Sequence, residues 1–380
     1  MKYSIKKAIE ETQTFLQRNS HQHFEEMHGI RCKTDGMHII LNYDITKVNW
    51  NEPYGYVCRG LVLDAETFDV LGFGLPKFFN SGENWVDKID WETAIVLEKL
   101  DGTMFNRWFS PHFDEFVITT RFQLPDEIIT NKIMQSDVTW AQLFRMATKG
   151  MGIDRVSFQA QDETVAFEVC SPFNQVVVQY PEPTAAVICR RNHDDLEEHP
   201  LPAEPHRPLI FSLNNQIEVQ EFAAKLDGKE HEGFVVVDEA FNRMKIKTPS
   251  WKVFCNLSQA VHSSIRCQVE AVMDEKNDVK ELAKDFPYVG KTLLRIQEII
   301  TEIMNDHQAA YRVYRDIENQ KQFAIAVTDT RLPFSSILFA MRSGKISSVE
   351  EGFYKLQSSH LAKIVAEKLE LQFIETDFEV

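Results

Sequence analysis

The chain has 380 residues, 43% of them hydrophobic and 26% charged, which suits two domains with full-sized cores. A formal charge of −16 argues against a protein that coats nucleic acid through a general basic field, because phosphate neutralisation dominates that kind of binding. No apolar run reaches the length of a membrane helix, and Met1 to Gln17 is broken by Lys6, Lys7, Glu10 and Glu11, so neither a signal peptide nor a membrane anchor is expected.

In chain order, the region from Val57 to Lys247 reads mainly as short strands. Apolar runs predict strands at Val57 to Asp64, Ala94 to Glu98, Glu115 to Thr120, Thr164 to Cys170, Gln175 to Tyr180, Ala185 to Arg190, Gly233 to Asp238 and Arg243 to Lys247. Helical stretches intervene at Trp140 to Lys149 and Ile217 to Leu226. A proline-rich acidic segment, His193 to Pro208, predicts a loop. The expected class is α+β, with antiparallel sheets flanked by helices.

After Pro249 the period changes. Leu293, Leu294, Ile296, Ile299, Ile300, Ile303 and Met304 recur at helical spacing, as do Leu361, Ile364, Val365 and Leu369, and Ser347 with Glu350 suggests a capping box. Residues 1–249 are therefore expected to form one domain and 250–380 an all-α second one. The six cysteines are scattered and read as reduced thiols, which places the protein in the cytoplasm. The histidines form no metal motif; His193, His199 and His206 fall in polar stretches and are expected to be solvated.

Five short segments carry the chemistry. Lys99-Leu100-Asp101-Gly102 sits between two strand-like runs, where Asp-Gly is the ordinary signal of a hairpin turn. Upstream lie Cys58-Arg59-Gly60 and Pro76-Lys77-Phe78-Phe79-Asn80. Downstream lie Ala166-Phe167-Glu168-Val169 and His231-Glu232-Gly233, followed by Lys245-Ile246-Lys247, whose lysines share one strand face. Singly, each has a bland explanation as an edge residue, a paired carboxylate or a turn. Together, a fixed lysine with distant carboxylates and cations is what covalent nucleotidyl transfer needs.

The order and wording of these segments resemble the covalent nucleotidyltransferase superfamily of ATP-dependent ligases and capping enzymes. Within it, Arg59-Gly60, Lys77 to Asn80 and especially Phe167 to Val177 resemble the phage RNA ligase 1 type, the tRNA-repair ligases. The resemblance spans Arg59 to Trp251. It departs at Thr119-Thr120-Arg121-Phe122-Gln123, where such ligases carry a Lys-Gly or Arg-Gly pair; Arg121 supplies a planar cation, but without glycine the backbone cannot approach a ligand as closely.

The resemblance implies residues 1–249 as an adenylyltransferase domain and a helical tail suited to substrate recognition, since DNA ligases and capping enzymes continue into a small β-barrel instead. It implies ATP and Mg2+ as cofactors, with Mn2+ as a substitute. Lys99 is the expected nucleophile. Its reference pKa near 10.4 must fall for attack, and Lys245, Lys247, Arg59 and a bound magnesium are expected to lower it. Arg59, Lys77, Phe79, Lys99, Glu168, Lys245 and Lys247 are expected to bind the nucleotide, with Phe79 and the run Phe234 to Val237 walling the purine. Glu232 and Asp101 are the expected metal ligands, with Glu168 next or on the ribose.

The expected activity is ATP-dependent joining of 5′-phosphate and 3′-hydroxyl RNA ends through lysyl-AMP and RNA-adenylate, by a monomer that repairs tRNA beside an end-healing kinase and phosphatase. It would work in the cytoplasm, that of the host if the source is viral. The rivals are a capping-type guanylyltransferase, which would load GTP, and a non-catalytic RNA-binding relative.

Overall fold

In the computed structural model the described residues are 4–369, apart from 134–135, 154–157, 202–205, 253, 256–257, 259–263, 275–276 and 357. The chain divides into two compact units, Met1–Phe254 and Cys255–Val380.

The first unit holds three sheets. Strands β1 (Ile30–Thr34), β2 (His38–Tyr43), β3 (Arg59–Asp64) and β4 (Val70–Gly72) form an antiparallel sheet in sequence order. One face, with Ile30, Ile39, Leu41, Leu61 and Leu63, buries against the helices Ile5–Arg18 and His21–His28 through Ala8, Ile9, Leu16 and Phe24. The other face carries Ile40 and Val62 into a cluster with Trp108, Val117 and Leu124.

The second and third sheets draw on β5 (Phe79–Asn80), β6 (Ile95–Lys99), β7 (Thr103–Ser110), β8 (Glu115–Thr119), β9 (Glu163–Cys170), β10 (Thr184–Asn192), β11 (Glu198–His199), β12 (Ile210–Phe211), β13 (Gly233–Val237) and β14 (Arg243–Lys247). Their orders are β11-β10-β9-β7-β8 and β12-β6-β13-β14-β5. All pairs are antiparallel except β14 with β5. Alternation gives each of these sheets an outer and an inner face. Phe234, Val236, Met244 and Ile246 pack outward on the helix Gln216–Ala223 through Val219 and Ala223, and Phe105, Val165, Phe167 and Val187 pack on the helix Trp140–Ala147. The inner faces meet through Met104, Ala166, Cys189, Phe78 and Val235. A buried triad also bridges them: Glu198 of β11 accepts hydrogen bonds from Arg191 of β10 and Arg243 of β14.

The second unit is helical. In its largest core Ile296, Ile299, Ile300 and Ile303 of the helix Pro287–Tyr314 pack with Leu361, Ala362 and Val365 of the helix Ser358–Lys368, as their periodicity predicts. Among the described residues no helix is long and apolar enough to cross a membrane.

The α+β class with antiparallel sheets and C-terminal helices is what the sequence implies, but four local readings are corrected. Gln175 to Tyr180 is not a strand: the N–H groups of Val177 and Val178 donate to the Asp101 carboxylate, not to a neighbouring strand. The cap at Ser347 moves by one residue. Ser348 accepts from the Glu351 N–H, and the Glu351 carboxylate accepts from the N–H and hydroxyl of Ser347. His193 is not solvated, since its Nε2 lies 2.7 Å from Thr164 Oγ1 and burial pulls its pKa down to about 4. The segment after it is not wholly loop: Glu198–His199 forms a strand and Glu198 anchors the triad, while 202–205 lie outside the described residues.

Candidate active site

The site is built around the end of β6. Register pairs Gly233 with both Lys99 and Lys247, so the residue before it, Glu232, stands beside two lysines from neighbouring strands. Its Oε2 accepts from Lys99 Nζ at 2.5 Å and its Oε1 from Lys247 Nζ at 2.9 Å, with the carboxylate side chain only 4% exposed. Glycine is required at 233: φ is +139°, and a Cβ would come within 2.2 Å of the Ile246 carbonyl oxygen. The Glu-Gly pair is thus the backbone device that delivers the carboxylate.

Across the cleft, Glu168 of β9 pairs with Met104 of β7 and accepts from the Gly102 N–H at 3.2 Å. Gly102 fits because a Cβ there would sit 2.3 Å from the Val169 carbonyl oxygen. Asp101 is buried and committed: its Oδ2 accepts from the N–H groups of Val177 and Val178, both at 2.9 Å, and from Trp251 Nε1 at 3.1 Å. The Asp101 N–H donates to the Tyr180 hydroxyl. These bonds fix the turn that carries Lys99.

The remaining cations line the same inner faces. Lys245 Nζ lies 4.6 Å from the Phe78 ring centre and Lys247 Nζ 3.8 Å from that of Trp251. Lys77 Nζ rests among Tyr43, Trp50 and Phe79, and Arg59 Nη1 donates to Met104 Sδ. Phe79 is buried in an aromatic cluster with Trp50, Tyr56 and Trp85. Phe234 and Val236 face away from the cleft into the helix-backed core, and only Val235 of that run's centre looks inward; the period-2 geometry of β13 allows no other arrangement. The expected purine wall from Phe234 to Val237 is corrected accordingly.

Electrostatics separate the lysines. Burial alone would pull Lys99 down, but Glu232, Glu168 and Asp101 outweigh it and hold its amine above the ordinary value. This reverses the expectation that cations lower it in the free protein; the carboxylates stand closer. Lys245 shows the opposite balance, because burial and then Lys77, Arg59, Lys99 and Lys247 push it down to about 6. Burial raises Glu168 to about 7, with Glu232 adding to the rise and Lys99 opposing it. Asp101 is raised by burial and by Glu232 against its three hydrogen bonds. These mutual influences bring the eight charged residues singled out in the sequence into one region, and Phe79, the ninth, joins them beneath Lys77, whose Nζ lies 5.0 Å from its ring centre.

The structure adds four residues. Arg121 stacks over Tyr43, its guanidinium carbon 5.4 Å from the ring centre, and its Cα sits 3.2 Å from where a Gly60 Cβ would be, so it lies beside Arg59 despite the missing glycine. Tyr43, Tyr180 and Trp251 join it. Tyr43 ends an apolar strand and Trp251 follows Lys247 by four residues, and neither position signals a role in sequence.

A profile of the RNA ligase family matches residues 57–251, just over half of the chain, and contains all nine. The chain belongs to the RNA ligase family. Over 362 residues it is 25% identical to a protein of Autographa californica nuclear polyhedrosis virus named for bifunctional polynucleotide kinase and RNA ligase activity, covering 89% of this chain and 50% of that one. This family member thus spans about half the length of that relative. Among solved structures it is similar to an archaeal ATP-dependent RNA ligase in two forms, with TM-scores of 0.42 and 0.43 at 13% identity, over 76% and 75% of this chain and 79% and 78% of those. A chain titled as an ATP-dependent DNA ligase from Aquifex aeolicus gives 0.40 at 13% identity over 73% of this chain and 71% of its own. Likeness at that level is too loose to bear on individual residues.

Proposed function

We propose that this chain is an ATP-dependent RNA ligase that joins 5′-phosphate and 3′-hydroxyl ends through lysyl-AMP at Lys99. Family membership supports RNA ligation. The observation that carries the mechanism is a strand-end lysine whose amine is fixed by Glu232, in a cleft whose other cations face inward.

In the first step Lys99 Nζ attacks the α-phosphorus of ATP and the bond to pyrophosphate breaks. The adenylate then passes to the oxygen of an RNA 5′-phosphate, and a 3′-hydroxyl displaces AMP to form the phosphodiester. Each step expels a good leaving group, so positioning and charge neutralisation carry the catalysis. Lys245, Lys247, Arg59 and Lys77 are placed to neutralise the triphosphate. Glu168 is placed for the ribose hydroxyls, and Phe79 stands with Lys77 at the edge of the cleft.

Among the described residues no three His, Cys, Asp or Glu side chains form a ready metal cage. The carboxylates around Lys99 nevertheless fit a hard cation held jointly with substrate phosphates, because burial and then the nearby Glu232 carboxylate raise Glu168 and Asp101, and a cation between them would relieve that repulsion. Glu232 would hold magnesium through an oxygen released by Lys99, and Asp101 through Oδ1, its other oxygen being filled. When bound, the cation supplies positive charge that disfavours a protonated Lys99 and draws electron density from the phosphates.

The finer assignments belong to the same reading: nicked tRNA as substrate, the helical unit as its recognition element, a monomer acting in the cytoplasm, a companion phosphatase, and a companion kinase, the activity that the viral relative's name pairs with RNA ligase. The test is incubation with magnesium and α-labelled ATP or GTP, followed by denaturation, on the wild type and Lys99→Ala. Label from ATP that is lost in the variant is the expected result. Label from GTP moves the reading to capping, and no label on folded, unloaded protein overturns it in favour of RNA binding alone.

A further inference from the structure

The chain carries 57 acidic and 41 basic residues, yet one arginine beside the cleft holds a buried donor that no acceptor meets. It is Arg31 of β1. In the antiparallel register it pairs with Asn42 of β2, which pairs with Arg59 of β3 at a register shift that follows Leu41, and the Arg59 guanidinium reaches Met104 of β7. Arg31, Asn42 and Arg59 therefore form a row on the face turned toward β7 and β8, with Arg121 beside Arg59.

Its neighbour on the same strand face shows what a structural cation looks like. Lys33 Nζ is saturated, donating to both oxygens of Glu127 and to the Phe122 carbonyl. Arg31 stacks on the same ring, its guanidinium carbon 5.1 Å from the centre, yet its buried Nε has no hydrogen-bond partner and it forms no ion pair among the described residues. It acts on Asp44 only through space, and Asp44 Oδ1 is occupied by the N–H and hydroxyl of Thr46. Asn42, buried with Oδ1 accepting nothing, separates the two guanidinium groups with a neutral side chain. Stacking holds Arg31 in place while leaving its planar donors uncommitted, a combination suited to a phosphate.

We propose that Arg31 is a phosphate-binding residue that extends the ligase cleft one strand pair beyond Arg59, taking a phosphate from the RNA end or from the pyrophosphate moiety of the nucleotide. The assignment rests on the ligase reading. It adds a contact outside the stretch that the family profile covers, since Arg31 precedes residue 57.

The test uses Arg31→Gln, which removes the charge but keeps a polar side chain of similar reach, and Arg31→Lys, which keeps the charge, each checked against the wild type by thermal melting. In one arm, a 5′-phosphorylated oligoribonucleotide is titrated by fluorescence anisotropy without ATP or divalent cation at several salt concentrations. In the other, the KM for ATP is measured in self-adenylylation. If the phosphate is that of RNA, Arg31→Gln lowers the steepness of log K against log salt by about 0.7 and Arg31→Lys largely restores it. If it belongs to the nucleotide, the RNA slope is unchanged and the KM for ATP rises about tenfold. Unchanged values in both arms with an active wild type overturn the proposal. A wild type that takes no label from ATP overturns the ligase reading, while the RNA arm still decides whether Arg31 meets phosphate; no RNA binding in that case removes both.

Discussion

Lys99 Nζ lies 2.5 Å from Glu232 Oε2, and the other oxygen of that carboxylate lies 2.9 Å from Lys247 Nζ. One acidic side chain therefore holds the nucleophile and its neighbour together, and with Glu168 and Asp101 it keeps the Lys99 amine protonated in the free protein. Because Glu232 raises the Lys99 pKa, replacing it by Gln should lower that value. The acid limb of the rate of covalent labelling by ATP is expected to move to lower pH in Glu232→Gln, even as the maximal rate falls. A limb that stays in place or moves upward would contradict the assigned balance of charges.

Lys245 presents the opposite case, and its sign can be checked without catalysis. Its folded value of about 6 lies far below that of a free lysine, so near pH 7.5 the amine is mostly neutral. A phosphate group brought beside it favours the charged form and raises the value. Binding of ATP or pyrophosphate should therefore take up protons between about pH 6 and the raised value, approaching one per site. Calorimetric titration in two buffers of different ionisation enthalpy measures this directly. Uptake should disappear in Lys245→Met and fade below pH 6, where the amine is already charged.

Two glycines separate strain from collision. Gly82 has φ +90° with nothing near its missing Cβ, whereas Gly233 has φ +139° with the Ile246 carbonyl in the way. Gly82→Ala should cost about 1 kcal/mol and Gly233→Ala about 3 kcal/mol or more, read by urea unfolding. Only the second should also reduce labelling, because only it displaces Glu232.

Asp101 Oδ2 gathers three N–H groups, so removing it strands all three. Asp101→Ala should lose about 3 kcal/mol or more and Trp251→Phe about 1 kcal/mol. Their double variant should show a coupling near 1 kcal/mol, since the two residues share a bond. Additive losses would mean that the bond contributes nothing.

The triad that bridges the two sheets offers a test away from the cleft. Glu198 is 2% exposed and serves two buried guanidinium groups, so Glu198→Gln leaves two positive charges with little compensation. The expected loss is about 3–5 kcal/mol in denaturant unfolding. A loss below 1 kcal/mol would show that water reaches the triad.

The strands that build the site were largely legible because their apolar runs are bounded by turn residues. Lys99, Glu232, Lys245 and Lys247 could be placed on β6, before β13 and on β14 from period alone. What sequence could not supply was competition for hydrogen bonds and facing. Val176-Val177-Val178 has strand composition, yet a buried carboxylate takes the N–H groups of Val177 and Val178. Phe234 is as apolar as a purine wall requires, but the face is decided by Gly233 opposite Lys99, which turns Val235 inward. Of the N-terminal sheet only β3 was read, and Tyr43 of β2 and Arg31 of the edge strand β1 were missed, because a lone aromatic or arginine has no pattern until the fold sets it beside Arg59. The direction of the Lys99 shift depends on which charges stand nearest, a matter of ångströms that spacing does not encode.

The gathering of cations at the cleft takes on a further meaning against the charge of −16. A long polyanion is repelled by most of such a molecule and attracted at one mouth, so its interior stretches gain little while a terminus can enter. On the ligase reading proposed above, the protein samples strands by their ends, and added salt weakens capture at the mouth and repulsion elsewhere together. Discrimination between a broken strand and an intact one could thus begin at encounter, before any base or sugar is inspected.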